Sequence, residues 1–270
     1  MSMRNTVLYS LILIVLSCSH FKDDNNHILI ADFTPRDWVQ GFENYKKIPW
    51  FKGTERIQRV YDSSRKHHVL QVSYPKGAVG PNAGGAQWIS YVPKSLKLKL
   101  SYWVKFSSAF DWVIGGKLPG LIGGYKKDKL HSTISGGAIA DGTNGWSARI
   151  MWREGGRIVQ YVYHMDKAGE WGDDFQWMID GKIATFKAGQ WHHLETEITM
   201  NEVLKKNARI RSWLDGNLAL DVSGIRLRTI DTLQIDALYF STFFGGNDSS
   251  FAPTKDEEIY FDDFEITKLN

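Results

Sequence analysis

The stretch that most limits how this chain can fold is Leu96–Phe106, LKLKLSYWVKF, where apolar and polar residues alternate almost without a break. Alternation of that kind puts one set of side chains on each face of an extended backbone, so the segment reads as a half-buried strand. The pattern recurs along the chain. Val69–Tyr74, Gln87–Val92, Trp191–Thr199, Ala237–Phe244 and Ile259–Thr267 read as strands, with the turn-rich Pro75–Gly85 between the first two. Ala208–Leu214 and Leu218–Val222 read as a hairpin over Asp215-Gly216-Asn217. No segment of a dozen residues carries a helical period, and no internal repeat or low-complexity linker occurs. Short strands at regular spacing predict an all-β, antiparallel sandwich or barrel.

A chain of 270 residues, 43% apolar and 13% aromatic, has ample material for one such core. The formal charge is only +3, which implies no strong nucleic-acid or membrane field. The N-terminus carries Arg4, an apolar run over Thr6–Leu16, and then Ser17-Cys18-Ser19, the order of a secretory signal. The run is too short to span a bilayer as a helix. Val15-Leu16-Ser17-Cys18 resembles a bacterial lipobox, so Cys18 is the expected lipidation site and 1–18 the signal peptide. Plain secretion and an uncleaved signal anchor are the other readings. The polar residues 19–27 read as a tether, and a single domain is expected over 28–270. An exported lipoprotein is the expectation, held at the outer membrane, in the periplasm or at the cell surface, and touching the membrane only through its anchor. Cys18 is the only cysteine, which excludes disulfides and thiolate chemistry from the mature domain.

The most informative hairpin is Gly145–His164, GWSARIMWREGGRIVQYVYH. With Glu154-Gly155-Gly156 as a three-residue loop, Arg149 faces Tyr161 and Ser147 faces Tyr163, all four on one face. The other face, Ala148, Ile150, Trp152, Ile158 and Val162, is apolar. A two-residue loop at Gly155-Gly156 would put the tyrosines opposite Arg149; the longer loop is adopted here. An arginine beside two tyrosines is also a common decoration of an exposed sheet.

Other constellations carry less. Gly115-Gly116-Lys117-Leu118-Pro119-Gly120 lacks the Ser or Thr of a phosphate loop. It reads as a glycine-rich loop, either lying under a ligand with Lys117 aimed at it or an ordinary turn. His67-His68 and His192-His193 are adjacent pairs that point to opposite strand faces, and no HxH, HExxH or CxxC spacing occurs. Asp32, Asp262 and Asp263 could bind Ca²⁺ near the termini, but carboxylates at strand ends are usually just solvated. Neither a metal nor any other cofactor is predicted. Glu195 and Glu197 lie on one strand face roughly 7 Å apart. A retaining glycosidase needs about 5–5.5 Å across the scissile bond. Leu194, Thr196 and Ile198 form the core face of that strand, so the glutamates are expected to face solvent.

Three segments, GGKLPGLIGG, WSARIMWR followed by YVY, and FSTFFGGND at Phe240–Asp248, together resemble polysaccharide lyase family 14. The likeness runs over roughly Phe106–Phe264. It implies a jelly-roll sandwich with a concave substrate-binding face. It also implies cleavage of a 1,4-linked uronic-acid polysaccharide, such as alginate or glucuronan, by β-elimination. Site roles carry over to Lys117, Ser147, Arg149, Tyr161 and Tyr163. His164–Trp177 departs from the alginate-cleaving members, which leaves the choice of polyuronate open.

The residues suit that chemistry. Removing the C5 proton beside a carboxylate builds up negative charge, which Lys117 and Arg149 would neutralise. A phenol whose pKa is lowered by neighbouring cations can transfer the proton. Tyr163 is assigned that role, with Tyr161 assisting and Ser147 hydrogen-bonding the substrate. Lys117 becomes the alternative base if it is desolvated. A monomer with an acidic polysaccharide as its partner, and no nucleic acid, is the expectation. The rival readings are a non-catalytic glycan-binding lipoprotein and a β-sandwich glycoside hydrolase.

Overall fold

The computed structural model of the chain describes residues 26–43, 46–124, 134–246 and 248–270. Val15–Cys18 and most of the tether lie outside the described residues. Two antiparallel sheets dominate. One has eight strands, in the order Asn217–Ile225, Ala208–Leu214, Trp191–Thr199, Lys97–Phe106, Glu257–Lys268, His67–Tyr74 and Ile57–Asp62, with His27–Ala31 also paired to Glu257–Lys268. The other has seven, in the order Asp173–Gln176, Ile158–Tyr163, Trp146–Arg153, Gly115–Gly123, Ile235–Phe244, Ala86–Ser95 and Phe51–Lys52. About half of the strand neighbours in the two sheets are not consecutive in sequence, and the all-β antiparallel sandwich expected from the alternation is what forms.

Alternation also decides what lies between the sheets. Leu98, Leu100, Tyr102, Val104 and Phe106, every second residue of Lys97–Phe106, belong to the central core. Aromatic rings fill much of it. Trp88 and Phe240 of the seven-stranded sheet stack with centroids 3.6 Å apart, and Phe240 meets Phe261 of the other sheet at 5.0 Å. Each such ring, fully buried, contributes about 1.5–3 kcal/mol from the area it removes from water.

The outward face of the seven-stranded sheet is also largely covered. Lys117, Arg149, Tyr161 and Tyr163 are all buried there, although they point away from the core between the sheets. Smaller apolar clusters sit on that face, one around Ile89, Ile122 and Tyr239 and one around Ile134, Met151 and Tyr161.

The glycine-rich stretch is a strand and not the loop the sequence suggested. Gly115–Gly123 lies at the centre of its sheet between Trp146–Arg153 and Ile235–Phe244. Glycine is required there by close approach. A Cβ on Gly116 would lie 2.1 Å from the Trp152 ring, and one on Gly120 would lie 2.1 Å from the Ala148 carbonyl oxygen. Pro119 is accommodated by a break in register between Leu118 and Gly120.

Glu195 and Glu197 are on the other sheet and are ion-paired, not freely solvated. Lys99 Nζ lies 3.0 Å from Glu195, and Arg211 lies 2.7 Å from Glu197. Glu197 sits directly opposite Arg211, whereas Lys99, opposite Glu197 on the other side, reaches diagonally to Glu195. Asp262 and Asp263 come together with His67, each offering a ligand atom within 4.8 Å of the others. Arg65 donates to both carboxylates and so supplies positive charge at that place.

Candidate active site

The central hairpin sets the geometry. Its register is Ser147 with Tyr163 and Arg149 with Tyr161, as a three-residue loop requires. Glu154–Gly156 makes the turn, with Gly155 at φ 67° and the Arg153 N–H donating to the Arg157 carbonyl at 2.7 Å. On the next strand Lys117 lies opposite Met151. Antiparallel partners share a face, so the lysine, the arginine and both tyrosines project to the same side. That side floors a cleft of about 640 Å³ whose walls include Gln87, Arg153, Asp174 and Tyr239, together with Trp50, Lys52 and Trp171.

Arg149 is 2% exposed, and among the described residues no carboxylate pairs with it. One guanidinium nitrogen donates to Ser241 Oγ at 3.2 Å, while Nε has no partner. The Gln87 amide donates to Ser241 Oγ and Tyr239 Oη, both at 2.9 Å, and so fixes the hydroxyl that Arg149 uses. The guanidinium also lies 5.2 Å from the Tyr239 ring centroid. A buried cation without an anion is costly. An anion entering the cleft would offset that cost.

Lys117 is buried as well. Its Nζ is 2.7 Å from Met151 Sδ and 3.8 Å from the Tyr161 ring centroid. Burial, and then the charges of Arg149 and Arg153, hold its pKa well below the ordinary lysine range, against the opposing pull of Asp174. The neutral amine, the form that accepts a proton, is thereby favoured. Arg153 is held by Asp174 through two bonds of 2.8 and 2.7 Å. Asp174 is the one carboxylate among the described lining residues.

The tyrosine hydroxyls are 3.4 Å apart. Each also accepts a backbone N–H: Gly172 donates to Tyr161 at 3.1 Å and Gly137 donates to Tyr163 at 3.0 Å. Burial pushes the Tyr161 phenol up, and Tyr163 adds to that, while the Gly172 amide and Arg149 act in the other direction. Ser147 is fully buried, donates its hydroxyl to the Ile134 carbonyl at 2.6 Å, and is not part of the cleft wall.

The structure therefore gathers Lys117, Arg149, Tyr161 and Tyr163 around one space, with Ser147 behind them on the loop side. It adds Met151, Gln87, Asp174, Tyr239 and Trp171, none of which the sequence singled out. Met151 had a legible signal, being two residues beyond Arg149 on the same strand face. Gln87 and Asp174 reach the site only through strand pairings that the sequence does not specify.

Comparison with known proteins follows the same lines. The model of the family described as polysaccharide lyase 14 matches residues 62–264. No curated protein matches the sequence. Among solved structures, the PL-14 alginate lyase of Aplysia kurodai superposes with a TM-score of 0.77 at 25% identity, covering 90% of this chain and 99% of the other. A variant of the alginate lyase Aly36B in complex with alginate trisaccharide gives 0.74 at 25% identity, covering 91% and 99%. The Chlorella virus alginate lyase vAL-1 gives 0.73 at 20% identity, covering 90% and 100%, a likeness of fold.

Proposed function

The chain belongs to the polysaccharide lyase 14 family, and from that premise we propose that it cleaves a 1,4-linked uronic-acid polysaccharide by β-elimination in this cleft, with alginate the first substrate to try. The observation that carries the proposal is Arg149, a buried cation with no anion beside it among the described residues, next to a desolvated lysine and a tyrosine pair. A uronate carboxylate supplies the missing charge. The alginate trisaccharide bound by an Aly36B variant is an acidic glycan in a related fold, which supports that class of ligand.

In the proposed step Arg149 holds the carboxylate of the sugar at the cleavage point. The neutral Lys117 amine takes the C5 proton, and the charge that develops on the carboxylate is met by Arg149. Electrons of the broken C5–H bond form the C4=C5 double bond as the C4–O4 bond breaks. Tyr163 gives its proton to the departing oxygen, with Tyr161 as its hydrogen-bonded neighbour. Lys117 ends protonated, Tyr163 ends as a phenolate, and a proton passing between them resets the site. The assignment of Lys117 follows from its burial; the sequence alone favoured the tyrosine for proton transfer.

A panel of alginate, glucuronan and related acidic polymers, followed by ultraviolet absorbance, tests this reading. New absorbance from 4,5-unsaturated ends is expected on at least one polymer. Saturated ends only would indicate a hydrolase, and polymer retention without cleavage a binding protein.

A further inference from the structure

Residues 164–172, which join the tyrosine strand to the edge strand Asp173–Gln176, carry an indole that the elimination step does not use. Trp171 is 44% exposed and lines the same cleft as Lys117 and Tyr163. The segment around it is firmly tied. His164 Nε2 and the Asp173 carboxylate are 2.9 Å apart, and the Ala168 N–H donates to the same carboxylate at 3.1 Å. Lys167 Nζ donates to the carbonyls of Gly169 and Glu170 at 2.7 and 2.8 Å. Asp166 is paired with Arg226. A ring presented by a backbone this constrained loses little freedom when a ligand covers it.

The next residue joins the loop to the proton-transfer groups. Gly172 donates its N–H to Tyr161 Oη at 3.1 Å, and a Cβ there would meet the Tyr163 ring at 2.9 Å. Trp171 and the tyrosine pair are thus set by one short piece of backbone. An indole offers a broad apolar face of the kind that packs on the C–H face of a pyranose.

We infer that Trp171 is a stacking subsite for a uronate ring outside the cleavage point, and that a ring bound there sets the chain in register with the tyrosine pair, which the same rigid backbone places through Gly172, so that longer chains are turned over better than short ones. This rests on the lyase reading above and adds a chain-length preference to it. Trp171 is a binding residue in this scheme, and Gly172 a positioning residue acting through Tyr161.

The experiment uses the full chain with oligomannuronates and oligoguluronates of increasing length. For wild type, Trp171→Ala and Trp171→Phe, kcat and KM are measured at each length, and binding is measured by calorimetry in a Tyr163→Phe background. Trp171→Ala should lower the ratio of kcat/KM between long and short oligomers by roughly tenfold, the worth of burying one side of an aromatic ring. Part of that loss should lie in kcat, and Trp171→Phe should restore most of it. An equal loss at every length, or none at any, overturns the inference. If wild type cleaves neither series but long chains still bind more tightly in a Trp171-dependent way, the stacking subsite stands and the lyase reading fails.

Discussion

Arg149 and Lys117 are both basic residues buried at the floor of the cleft, and their expected behaviour differs. Arg149→Ala should raise KM and lower kcat together, because the guanidinium is proposed to hold the carboxylate before and during elimination. Added salt should weaken the wild-type enzyme's hold on its polymer. Tyr163→Phe keeps the ring and removes one oxygen, so kcat should fall by roughly 10²–10⁴ with little change in KM. For Lys117 the lowered pKa fixes a sign. The unfolded chain holds a proton that the folded chain gives up, so the cost of burying Lys117 is greatest below its folded value. That cost fades as pH rises towards the ordinary lysine value. Lys117→Met should therefore abolish activity while raising Tm, more so at acid than at alkaline pH, a gain of about 1 kcal/mol or more. An unchanged or lowered Tm would contradict the buried-cation account. These residues were legible in sequence because they stand on one alternating hairpin and one lysine among glycines. The Arg153–Asp174 pair was not, since its carboxylate comes from a strand of four residues with no alternation to mark it.

At the scale of elements, the hairpin and the glycine strand make the opposite lessons. Glu154–Gly156 was readable because alternation on both sides of it leaves only two possible registers, and only one puts Arg149 with Tyr161. Gly115–Gly123 was not readable, because five of its nine residues are glycine or proline and those usually mark turns. Its glycines instead make room for Trp152 and for the backbone of the Arg149 strand. Gly120→Val should thus cost about 2–3 kcal/mol of stability, seen in denaturant unfolding, and displace Arg149 and Lys117 together. Full stability in that variant would mean that the strand does not pack as described. The short edge strands Phe51–Lys52 and Asp173–Gln176 escaped the sequence for lack of length, yet both border the cleft.

The whole molecule is a sandwich in which both sheets enclose the core and one also floors the cleft. Its all-β class was plain from alternation and the absence of any helical period. Which sheet faces which, and where the cleft lies, depend on pairings between residues far apart in sequence. The proposed lipidation belongs to this scale too. Cys18→Ala should release the protein from the membrane fraction with its lyase activity intact, whereas retention would indicate an uncleaved signal anchor. The most direct measurement of the central claim is digestion of the cleaved polymer in oxygen-18 water, with the products weighed by mass spectrometry. β-Elimination adds no water, so the new non-reducing ends should be unsaturated and the bond cleavage itself should incorporate no heavy oxygen. One heavy oxygen per bond broken, with saturated ends, would mean hydrolysis and would contradict the roles given to Lys117, Arg149 and Tyr163.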